Sequence, residues 1–487
     1  MSELNKELFS SRFGLIAATL GMAIGAGNIW RFPRLAGQYG GSFLIPWFLF
    51  LFLWSIPLLI VEFSIGKRVK MGTIGSFKEA MGKEFAWMGL FVGFCTTAIL
   101  FYYSVVCGWS LKYFVLALTG KLATLNHAVY WQEYTASVYE PVLFHLVSIL
   151  AGAFIIYRGI VNGIEKFSKI IVPLLYVLLI TAAVKAITLP GSSKGLAYFF
   201  SIDLETLSNY KVWLEGLSQS AWSTGAGWGL LLTYAIYAKK DEKIVQNSFL
   251  AGVGNNFASI LAGLVVIPTV FALSVNSQAA NDALSAGNQG LAFIVIPQLF
   301  AKMPGSEIFT TIFFLALFFA AMSSLISMIE LAVRMLMDFG FRRKKSVILI
   351  AVLTSVVGMP SAISLSFFNN QDWVWGLGLM LSGFFFTLAV IKIGAKKFIE
   401  NWLSPTRQHA AYIKIFRILF YFVLPLEFIV MLSWWLYQSV LWYPETWWNP
   451  LETFSPGTSV LQWAIVLIAG ILFNKKLTNT LRTNNKI

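Results

Sequence analysis

The sequence has few of the side chains on which most enzymes and disulfide-stabilised proteins depend. It contains two cysteines and three histidines among 487 residues, and only 12% of its residues are charged. Cys95 and Cys107 lie on one predicted helix, about 18 Å apart at 1.5 Å rise per residue, too far for an intrachain disulfide. The histidines fall in loops or at the ends of apolar runs. No metal cluster or nucleophile–base set is visible, so the sequence does not indicate an enzyme.

Acidic residues are also scarce, with 22 Asp and Glu against 36 Lys and Arg and a formal net charge of +14. Most of the basic residues fall in stretches that are cytoplasmic if an even number of membrane spans places both termini inside. This asymmetry follows the positive-inside rule. Basic clusters such as Lys67-Arg68 and Lys396-Lys397 are therefore interpreted as topology signals, and we expect no nucleic-acid partner.

The sequence is rich in long apolar runs. Hydrophobic residues make up 57% of the chain and the mean hydropathy is +0.72. Many apolar runs exceed the ~18 residues that a membrane span needs. We therefore predict an all-α integral membrane protein with twelve transmembrane helices, at residues 13–37, 42–66, 87–117, 141–157, 167–189, 213–238, 246–274, 307–337, 346–364, 373–395, 412–440 and 459–474.

The first apolar run is interrupted by glycines at 21, 25 and 27, and it ends in Arg31-Phe32-Pro33. Glycine costs ~1 kcal/mol in a helix interior, which predicts a helix that unwinds about halfway across the membrane. Broken backbone at membrane depth is tolerated only where it is buried in protein or lines a cavity. We interpret this stretch as a binding site. The alternative is that the glycines only let two helices approach closely.

The sixth run has a similar interruption, because Gly25-Ala26-Gly27 recurs as Gly225-Ala226-Gly227. Interrupted segments at corresponding places in two halves point to the binding site of a transporter built from repeats. Since spans 1–5 and 6–10 are odd in number, the second set is predicted to be inverted relative to the first. The expected organisation is an N-terminal tail (1–12), a first repeat (13–190), a second repeat (191–397), and helices 11 and 12 with a C-terminal tail (398–487).

Several acidic or basic residues lie inside predicted spans, and Glu62, Glu330 and Arg334 carry specific expectations. A carboxylate at the depth of Glu62 is costly and by default functional, and we expect it to accept hydrogen bonds from backbone N–H groups freed in span one. Glu330 and Arg334 are spaced i,i+4 on the eighth helix, which predicts an ion pair between them.

Two longer stretches have simpler interpretations. Residues 275–305 are rich in Ser, Asn, Ala and Gly, and they are long for a connector, which predicts an ordered lid over the outer mouth. The tryptophans from Trp434 to Trp448 are most simply an interfacial belt. Glu427 in span eleven has no assigned role.

Taken together, five motifs resemble the neurotransmitter:sodium symporter family, in particular its bacterial amino-acid transporter branch. They are Gly25-Ala26-Gly27-Asn28-Ile29-Trp30-Arg31-Phe32-Pro33, Tyr102-Tyr103, Gly227-Trp228-Gly229, Thr233-Tyr234 and Ser323-Ser324. The similarity runs from about residue 6 to the end of the chain. A 5+5 inverted repeat with broken helices 1 and 6 is the known architecture of this family. The resemblance implies a sodium-coupled secondary active symporter that works by alternating access.

The resemblance also implies two sodium sites made of oxygen atoms, which a hard cation prefers. Site 1 consists of the Ala23 carbonyl with Asn28, Ser223 and Asn255. Site 2 consists of the Gly21, Ile24 and Ala320 carbonyls with the Ser323 and Ser324 hydroxyls. Neither set contains a protein carboxylate, so the carboxylate of the substrate would complete site 1.

The implied substrate contacts begin at the outer half of the first helix. The Ala26 and Gly27 N–H groups would hold a carboxylate at its positive end, with the Tyr103 hydroxyl as a further donor. The amino group would meet carbonyls of Ala23, Trp222, Ser223 and Gly225. Gly25 replaces the aspartate of amine-carrying relatives, which favours a zwitterion. The apolar side-chain pocket predicts a neutral hydrophobic amino acid; it is formed by Met22, Ile99, Tyr103, Trp222, Gly225, Trp228, Ser324 and Met328.

The family pattern also identifies gates. Arg31 and Asp372 resemble the outer charge pair, and Trp222 takes the place of the aromatic lid. Lys6, Asp338 and Tyr237 resemble the inner gate.

Chloride dependence is expected from the matches at Gln219, Ser223, Asn255 and Ser259, although Trp47 stands where chloride-dependent members have tyrosine. Glu330 or a proton could supply the compensating charge instead.

The expected location is the plasma membrane, as a multi-pass protein of a bacterial inner membrane with both termini in the cytoplasm. Monomer and homodimer both remain open, as do the exact amino acid, the ion stoichiometry and counter-transport of protons or potassium. A channel, a membrane-embedded enzyme and a sensor are the rival classes. A channel needs a continuous polar file, whereas the polar residues here concentrate at mid-membrane; a sensor would bind ligand without flux.

Overall fold

The computed structural model of the chain describes residues 7–303, 305–403 and 410–481, and within these ranges every regular element is helical. The helices before the middle of the chain are α1 (Arg12–Ala23), α2 (Ala26–Ile29), α3 (Arg31–Tyr39), α4 (Leu44–Phe50), α5 (Ile56–Val69), α6 (Thr73–Met81), α7 (Ala86–Leu118), α8 (His127–Ala136), α9 (Tyr139–Tyr157), α10 (Lys166–Ile187), α11 (Ser192–Phe200) and α12 (Leu204–Ser208).

The second part of the chain contains fifteen further helices. They are α13 (Tyr210–Ser223), α14 (Leu230–Ile236), α15 (Ile244–Leu273), α16 (Ser277–Leu284), α17 (Gly287–Gly290), α18 (Ile296–Phe300), α19 (Ser306–Asp338), α20 (Arg343–Val357), α21 (Met359–Ile363), α22 (Leu365–Ile393), α23 (Ala395–Phe398), α24 (Ala410–Ile418), α25 (Leu424–Trp442), α26 (Pro456–Leu472) and α27 (Asn474–Thr480).

Short segments of other helix types join several of these helices. Five are wide π-type turns, at Leu51–Ser55, Ile160–Glu165, Leu291–Val295, Ile399–Leu403 and Leu419–Val423. Three are tight 3-10 turns, at Gly40–Phe43, Lys83–Phe85 and Lys121–Thr124.

Nine helical stretches in the described ranges are long and apolar enough to cross a bilayer, and a bent pair, α26 with α27 at 61°, makes a tenth. The nine are Ala26–Val69, Lys83–Leu118, Tyr139–Tyr157, Ile160–Ile187, Ile244–Leu273, Ser306–Asp338, Arg343–Ile363, Leu365–Ile393 and Ala411–Trp442. The chain is therefore a multi-pass membrane protein. The predicted runs 13–37 and 213–238 are not single continuous helices, because each is split near its middle.

The first break separates α1 from α2. Ile24 and Gly25 have extended backbone, with ψ of 103° and −175°, and α2 begins at Ala26. The second break is longer and separates α13 from α14. Gly225, Gly227 and Gly229 there have φ of 71°, 87° and 78°, a left-handed conformation that side chains with a Cβ rarely adopt. Both predicted interruptions are thus present at the predicted glycines.

The two breaks lie at the centre of the bundle. α1 packs against α10, α15 and α19, and α14 packs against α5. We call the end of the bundle where α1 begins the near end, and the end where α3 finishes the far end. Residues 275–303 cover the far end as short helices, and Arg34 of α3 donates to Asn288 there over 2.7 Å.

Candidate functional site

A cavity of about 970 Å³, including its mouth, lies between the two breaks. Every residue predicted to bind substrate lines it except Ala26, namely Met22, Ala23, Gly25, Gly27, Ile99, Tyr103, Trp222, Ser223, Gly225, Trp228, Ser324 and Met328. The structure therefore brings residues from α1, α2, α7, α13, α19 and the second break to one place.

Part of the cavity lining was not predicted from the sequence. Residues not predicted as substrate contacts extend it towards the far end; they include Trp30, Tyr102, Val106, Asn288, Gln289 and Phe368. Asn288 and Gln289 belong to the segment predicted as a lid, and its unusually polar composition was the one available signal for them.

The N–H groups freed at the first break meet neutral acceptors. Gly25 N–H donates to the Asn28 side-chain oxygen over 2.9 Å, and Ala26 N–H donates to the Tyr103 hydroxyl over 3.0 Å. Ala26 therefore does not line the cavity, but its N–H group is hydrogen-bonded to Tyr103, which does. A Cβ at Gly25 would lie 3.0 Å from the Tyr103 hydroxyl and 3.1 Å from Ser324 Oγ, so a side chain at this position would crowd the site.

The residues predicted for sodium site 1 converge beside this break. The Asn255 side-chain oxygen lies 3.0 Å from the Ala23 carbonyl oxygen and 3.0 Å from the Ser223 carbonyl oxygen. Facing acceptors repel one another, and either a cation among them or a turned-over Asn255 amide relieves the repulsion. Asn28 departs from the prediction, because it turns its amide nitrogen, not its oxygen, to Asn255 over 2.8 Å.

The residues predicted for sodium site 2 converge between α1 and α19. The Ser323 and Ser324 hydroxyls lie 3.4 and 3.3 Å from the Ile24 carbonyl oxygen, and Ser323 also lies 3.0 Å from the Ala320 carbonyl. The two longer distances exceed the about 2.5–3.0 Å of an O–H···O hydrogen bond. Gly21 packs directly against Ser323, since a Cβ there would lie 3.2 Å from the serine Cβ. Oxygen atoms of Ile24, Ala320, Ser323 and Ser324 thus lie near one another, and oxygen is the ligand that a hard cation prefers.

Glu62 binds the second break, which corrects the prediction that it caps the first. Its carboxylate accepts from Gly227 N–H over 2.6 Å and from Leu232 N–H over 3.2 Å, and it is fully buried. The prediction was wrong because sequence position does not show which broken helix α5 contacts. The carboxylate sits at the N-terminus of α14, where the helix dipole favours negative charge.

The other end of α14 is held by the same neighbouring helix. Lys70, at the C-cap of α5, donates from its ammonium group to the Ile236 and Ala238 carbonyls, each over 2.7 Å. A cation is favoured at a helix C-terminus. Glu62, Gly66 and Lys70 are spaced by four residues, so they lie along one face of α5. Lys70 has φ of 61°, the one positive φ of a non-glycine residue in the described ranges.

The predicted pair of Arg31 and Asp372 is not formed in this structure, although both residues line the cavity. Arg31 instead pairs with Glu215 at 3.5 Å and donates to Ser218 over 3.1 Å, while Asp372 interacts with the Tyr102 hydroxyl. Arg31 at the start of α3 lies along α13, where Glu215 and Ser218 share a face, and these partners are closer than α22.

At the near end, the predicted ion pair between Glu330 and Arg334 is wrong. Glu330 accepts from both terminal nitrogens of Arg343, at 3.0 and 2.5 Å, and Arg334 pairs with Asp338 at 3.1 Å. A guanidinium from the next helix offers Glu330 two parallel hydrogen bonds, which the i,i+4 partner on its own helix does not.

The predicted gate residues at this end are connected through these pairs. Tyr237 donates to Glu330 over 2.6 Å, and Asp338 accepts from Gly72 N–H over 2.6 Å. Phe9 N–H donates to the Tyr237 carbonyl over 3.0 Å, which ties the chain before α1 to the end of α14. Lys6 lies outside the described residues.

The residues predicted for chloride include buried N–H donors that have no partner in the described ranges. These are Trp47 Nε1 and the amide of Gln219. The backbone at Trp47 packs against α13 one turn before Gln219, since a Cβ at Gly216 would lie 2.9 Å from the Trp47 backbone nitrogen. Ser259 accepts from Asn28 over 2.8 Å. Unpaired buried N–H donors are groups that can hold an anion, so Trp47 and Gln219 are the candidate chloride contacts.

Comparison with known proteins identifies a family and related structures. The model of the sodium:neurotransmitter symporter family matches residues 6–141 and 140–479. An uncharacterised sodium-dependent transporter of Methanocaldococcus jannaschii is 35% identical over 370 residues, covering 73% of this chain and 75% of that protein. The uncharacterised sodium-dependent transporter YhdH of Bacillus subtilis is 28% identical over 455 residues, covering 88% and 98%.

Among solved structures, a match is the crystal structure of MhsT in complex with L-phenylalanine. Its TM-score is 0.78 at 30% sequence identity, and the match covers 88% of this chain and 99% of that chain. The likeness therefore extends over nearly the whole architecture that surrounds the cavity.

Proposed function

Because the chain belongs to the sodium:neurotransmitter symporter family, and is thus a sodium-dependent transporter, we propose that it carries a neutral hydrophobic L-amino acid by alternating access. The observation that carries this proposal is the cavity at the first break. Its polar end offers N–H groups whose partners, Asn28 and Tyr103, carry no charge. A substrate carboxylate can displace a neutral hydroxyl there and gain the favourable end of the α2 dipole.

The remainder of the cavity supports a hydrophobic side chain. Met22, Ile99, Trp228 and Met328 line it, and none of these residues offers a charge. An unpaired charge in such surroundings is expensive. The crystal structure of the similar MhsT contains L-phenylalanine, which supports an amino acid with a large apolar side chain.

Two sodium ions are proposed to bind beside the substrate. The first would lie among Ala23, Ser223 and Asn255, with the substrate carboxylate as an additional ligand. The second would lie among Gly21, Ile24, Ala320, Ser323 and Ser324. Sodium bound at the first site neutralises the substrate carboxylate, so the two bind together. This is the physical basis of coupling in the proposal.

The topology proposed for transport has twelve spans, with the broken first and sixth helices each counted as one. Residues 13–190 and 191–397 would be inverted repeats, followed by helices 11 and 12 in 398–487. With both termini in the cytoplasm of a bacterial cell, the far end is extracellular. Arg31, Asp372 and Trp222 then form the outer gate, and Tyr237, Asp338 and Lys6 belong to the inner gate.

Uptake into proteoliposomes tests the proposal. Radiolabelled L-phenylalanine and L-leucine should accumulate in a sodium gradient and fail to accumulate when choline replaces sodium. Liposomes without protein give the background. A thermal-shift series with all twenty amino acids, with and without sodium, identifies the best substrate. Undiminished uptake in choline would rule out sodium coupling, and a response only to charged amino acids would rule out the substrate class.

We further propose that transport depends on chloride, held by Trp47, Gln219, Ser223, Asn255 and Ser259. Replacing chloride by gluconate should then reduce uptake. The substitution Ser259→Glu places a fixed negative charge at the same point, so this variant should transport without chloride. Equal uptake by the unmodified protein in both salts would contradict chloride dependence while leaving the sodium proposal intact.

A further inference from the structure

Trp435, one of the tryptophans predicted to form an interfacial belt, is instead buried against Trp222 in the protein interior. Trp435 on α25 is only 9% exposed, whereas Trp442, Trp447 and Trp448 are 49%, 47% and 62% exposed. Its indole stacks on that of Trp222, with ring centroids 6.1 Å apart and planes inclined by 16°. Trp435 is therefore a contact of the cavity wall and not a residue of the membrane interface.

Trp222 is the residue through which this contact reaches the cavity. Its indole nitrogen donates to the Gly376 carbonyl over 3.0 Å, and the Arg31 guanidinium lies 3.7 Å from its ring centroid. Gly376 on α22 lies beside the ring, since a Cβ there would make ordinary van der Waals contact with it at 3.5 Å. The Trp222 indole is thus held by α3, α22 and α25 together.

Trp435 is itself fixed by a second aromatic contact. The ring of Trp373, the neighbour of Asp372, meets it edge to face at 5.5 Å and 78°. Trp373 also contacts Trp442 and Phe454. A continuous aromatic chain therefore connects α25 to Trp222 on α13 and to Trp373 on α22, two of the three elements that carry the proposed far-end gate residues.

We propose that Trp435 is a positioning residue of the gate at the far end: it holds Trp222 over the cavity, and α25 thereby sets how fast the cavity opens. This inference rests on the proposed function for its substrate, but the gate movement itself does not depend on which amino acid is bound. It assigns a role in transport to a helix that lies outside the two proposed repeats.

The size of the effect follows from the stacked pair. Aromatic pairs contribute enough beyond their buried area to change a rate by roughly 2- to 10-fold. Trp435→Ala should therefore speed dissociation of bound L-phenylalanine by that factor, whereas Trp435→Phe, which retains a ring, should lie closer to the unmodified protein. Trp447→Ala removes an exposed indole from the same end of the molecule and serves as the matched control.

A second measurement reads the gate without any substrate. Ile99 lines the cavity, and both native cysteines are buried and unpaired, so a cysteine at position 99 can be labelled over a low background. Ile99→Cys should react faster with a water-soluble thiol reagent when Trp435→Ala is also present. The melting temperature of each variant in detergent reports any general loss of stability.

Each outcome decides the inference. Faster dissociation and faster labelling, both moderated by Trp435→Phe, support it. Unchanged labelling in a folded Trp435→Ala protein overturns it; if that variant does not fold, unchanged labelling of Trp435→Leu does so. If the unmodified protein binds no hydrophobic amino acid but labelling still accelerates, the proposed substrate is wrong and the gate role of Trp435 stands.

Discussion

The two breaks expose similar backbone groups but give them different partners. At the first break, the freed N–H groups of Gly25 and Ala26 meet an amide oxygen and a hydroxyl. At the second, Gly227 and Leu232 meet the carboxylate of Glu62, which is part of the protein. Both partners satisfy the backbone, but only the carboxylate supplies a full negative charge.

This difference separates a break that is open to a ligand anion from one that already holds a carboxylate of the protein, although residues of both breaks line the cavity. A helix N-terminus that already has its own carboxylate gains little from a second anion, so the second break is closed to ligand carboxylates. The first break keeps its dipole uncompensated by charge, which makes it the place where an incoming anion is stabilised. The comparison therefore explains why two similar glycine motifs, Gly25-Ala26-Gly27 and Gly225-Ala226-Gly227, need not bind the same group.

The largest expected effect comes from removing the built-in charge. Glu62→Ala leaves two buried N–H groups without an acceptor, which should cost about 3–6 kcal/mol and abolish folded protein. Size-exclusion chromatography of a fluorescent fusion measures the folded fraction. Glu79→Ala, a change at a half-exposed carboxylate, is the control. A well-folded Glu62→Ala protein would show that the second break does not need its carboxylate.

The next effect concerns the oxygen cluster between the breaks. Asn255→Ala removes the side-chain oxygen that faces Ala23 and Ser223, and loss of one interaction with a charged ligand should raise the half-saturating sodium concentration roughly 10-fold or more. Sodium titration of amino-acid binding measures this value. Asn247→Ala, two turns earlier on α15, should leave it unchanged. An identical sodium requirement in Asn255→Ala would remove Asn255 from sodium site 1.

A smaller effect is expected where the first break meets only a hydroxyl. Tyr103→Phe removes the partner of Ala26 N–H and one proposed donor to the substrate carboxylate, so the Kd for L-phenylalanine should rise about 3- to 10-fold. The single N–H group left without an acceptor should lower stability by about 1–3 kcal/mol, less than in Glu62→Ala. Tyr139→Phe, at an 87% exposed tyrosine, is the control. A large loss of stability without a change in Kd would mean that this hydroxyl supports the break and does not serve the substrate.

The smallest effect tests the near-end terminus of α14. Lys70→Met removes the ammonium group and should lower stability by about 0.3–1 kcal/mol, whereas Lys70→Arg should retain most of it. Lys70→Gly also loses the charge but relieves the backbone at φ 61°, so it should be more stable than Lys70→Met. Thermal melting ranks the three variants. If Lys70→Gly has a higher melting temperature than the native protein, the backbone conformation at residue 70 affects stability more than the ammonium charge does.

The sequence predicted the positions of the two helix breaks better than the contacts that each break makes with neighbouring helices. Glycine density located both breaks, and the family motifs placed the cavity lining, because both depend on local residue type. The partner of Glu62 was wrong because hydrophobic periodicity does not reveal which helices touch at mid-membrane. The Glu330 pair was wrong for a related reason, since Arg343 reaches it from another helix.

Aromatic residues show the same limit. Trp435 and Trp448 are each the second residue of a Trp-Trp pair in the sequence, but one stacks on Trp222 and the other is 62% exposed. Trp448 lies beyond the end of α25, whereas the rotation of α25 about its axis decides what Trp435 faces, and that rotation depends on contacts with α13 and α22. Glu215, the partner of Arg31, could be suspected from its position one turn before Gln219, but the sequence did not favour it over Asp372.

The grip of α5 on both ends of α14 has a mechanical consequence. Two attachment points of opposite charge, Glu62 and Lys70, prevent the short helix from swivelling on its neighbour. As long as both attachments persist, α5 and α14 can move only as one rigid body. Any bending between α13 and α14 must then take place in residues 224–229, which lie beside the cavity and include three glycines with positive φ.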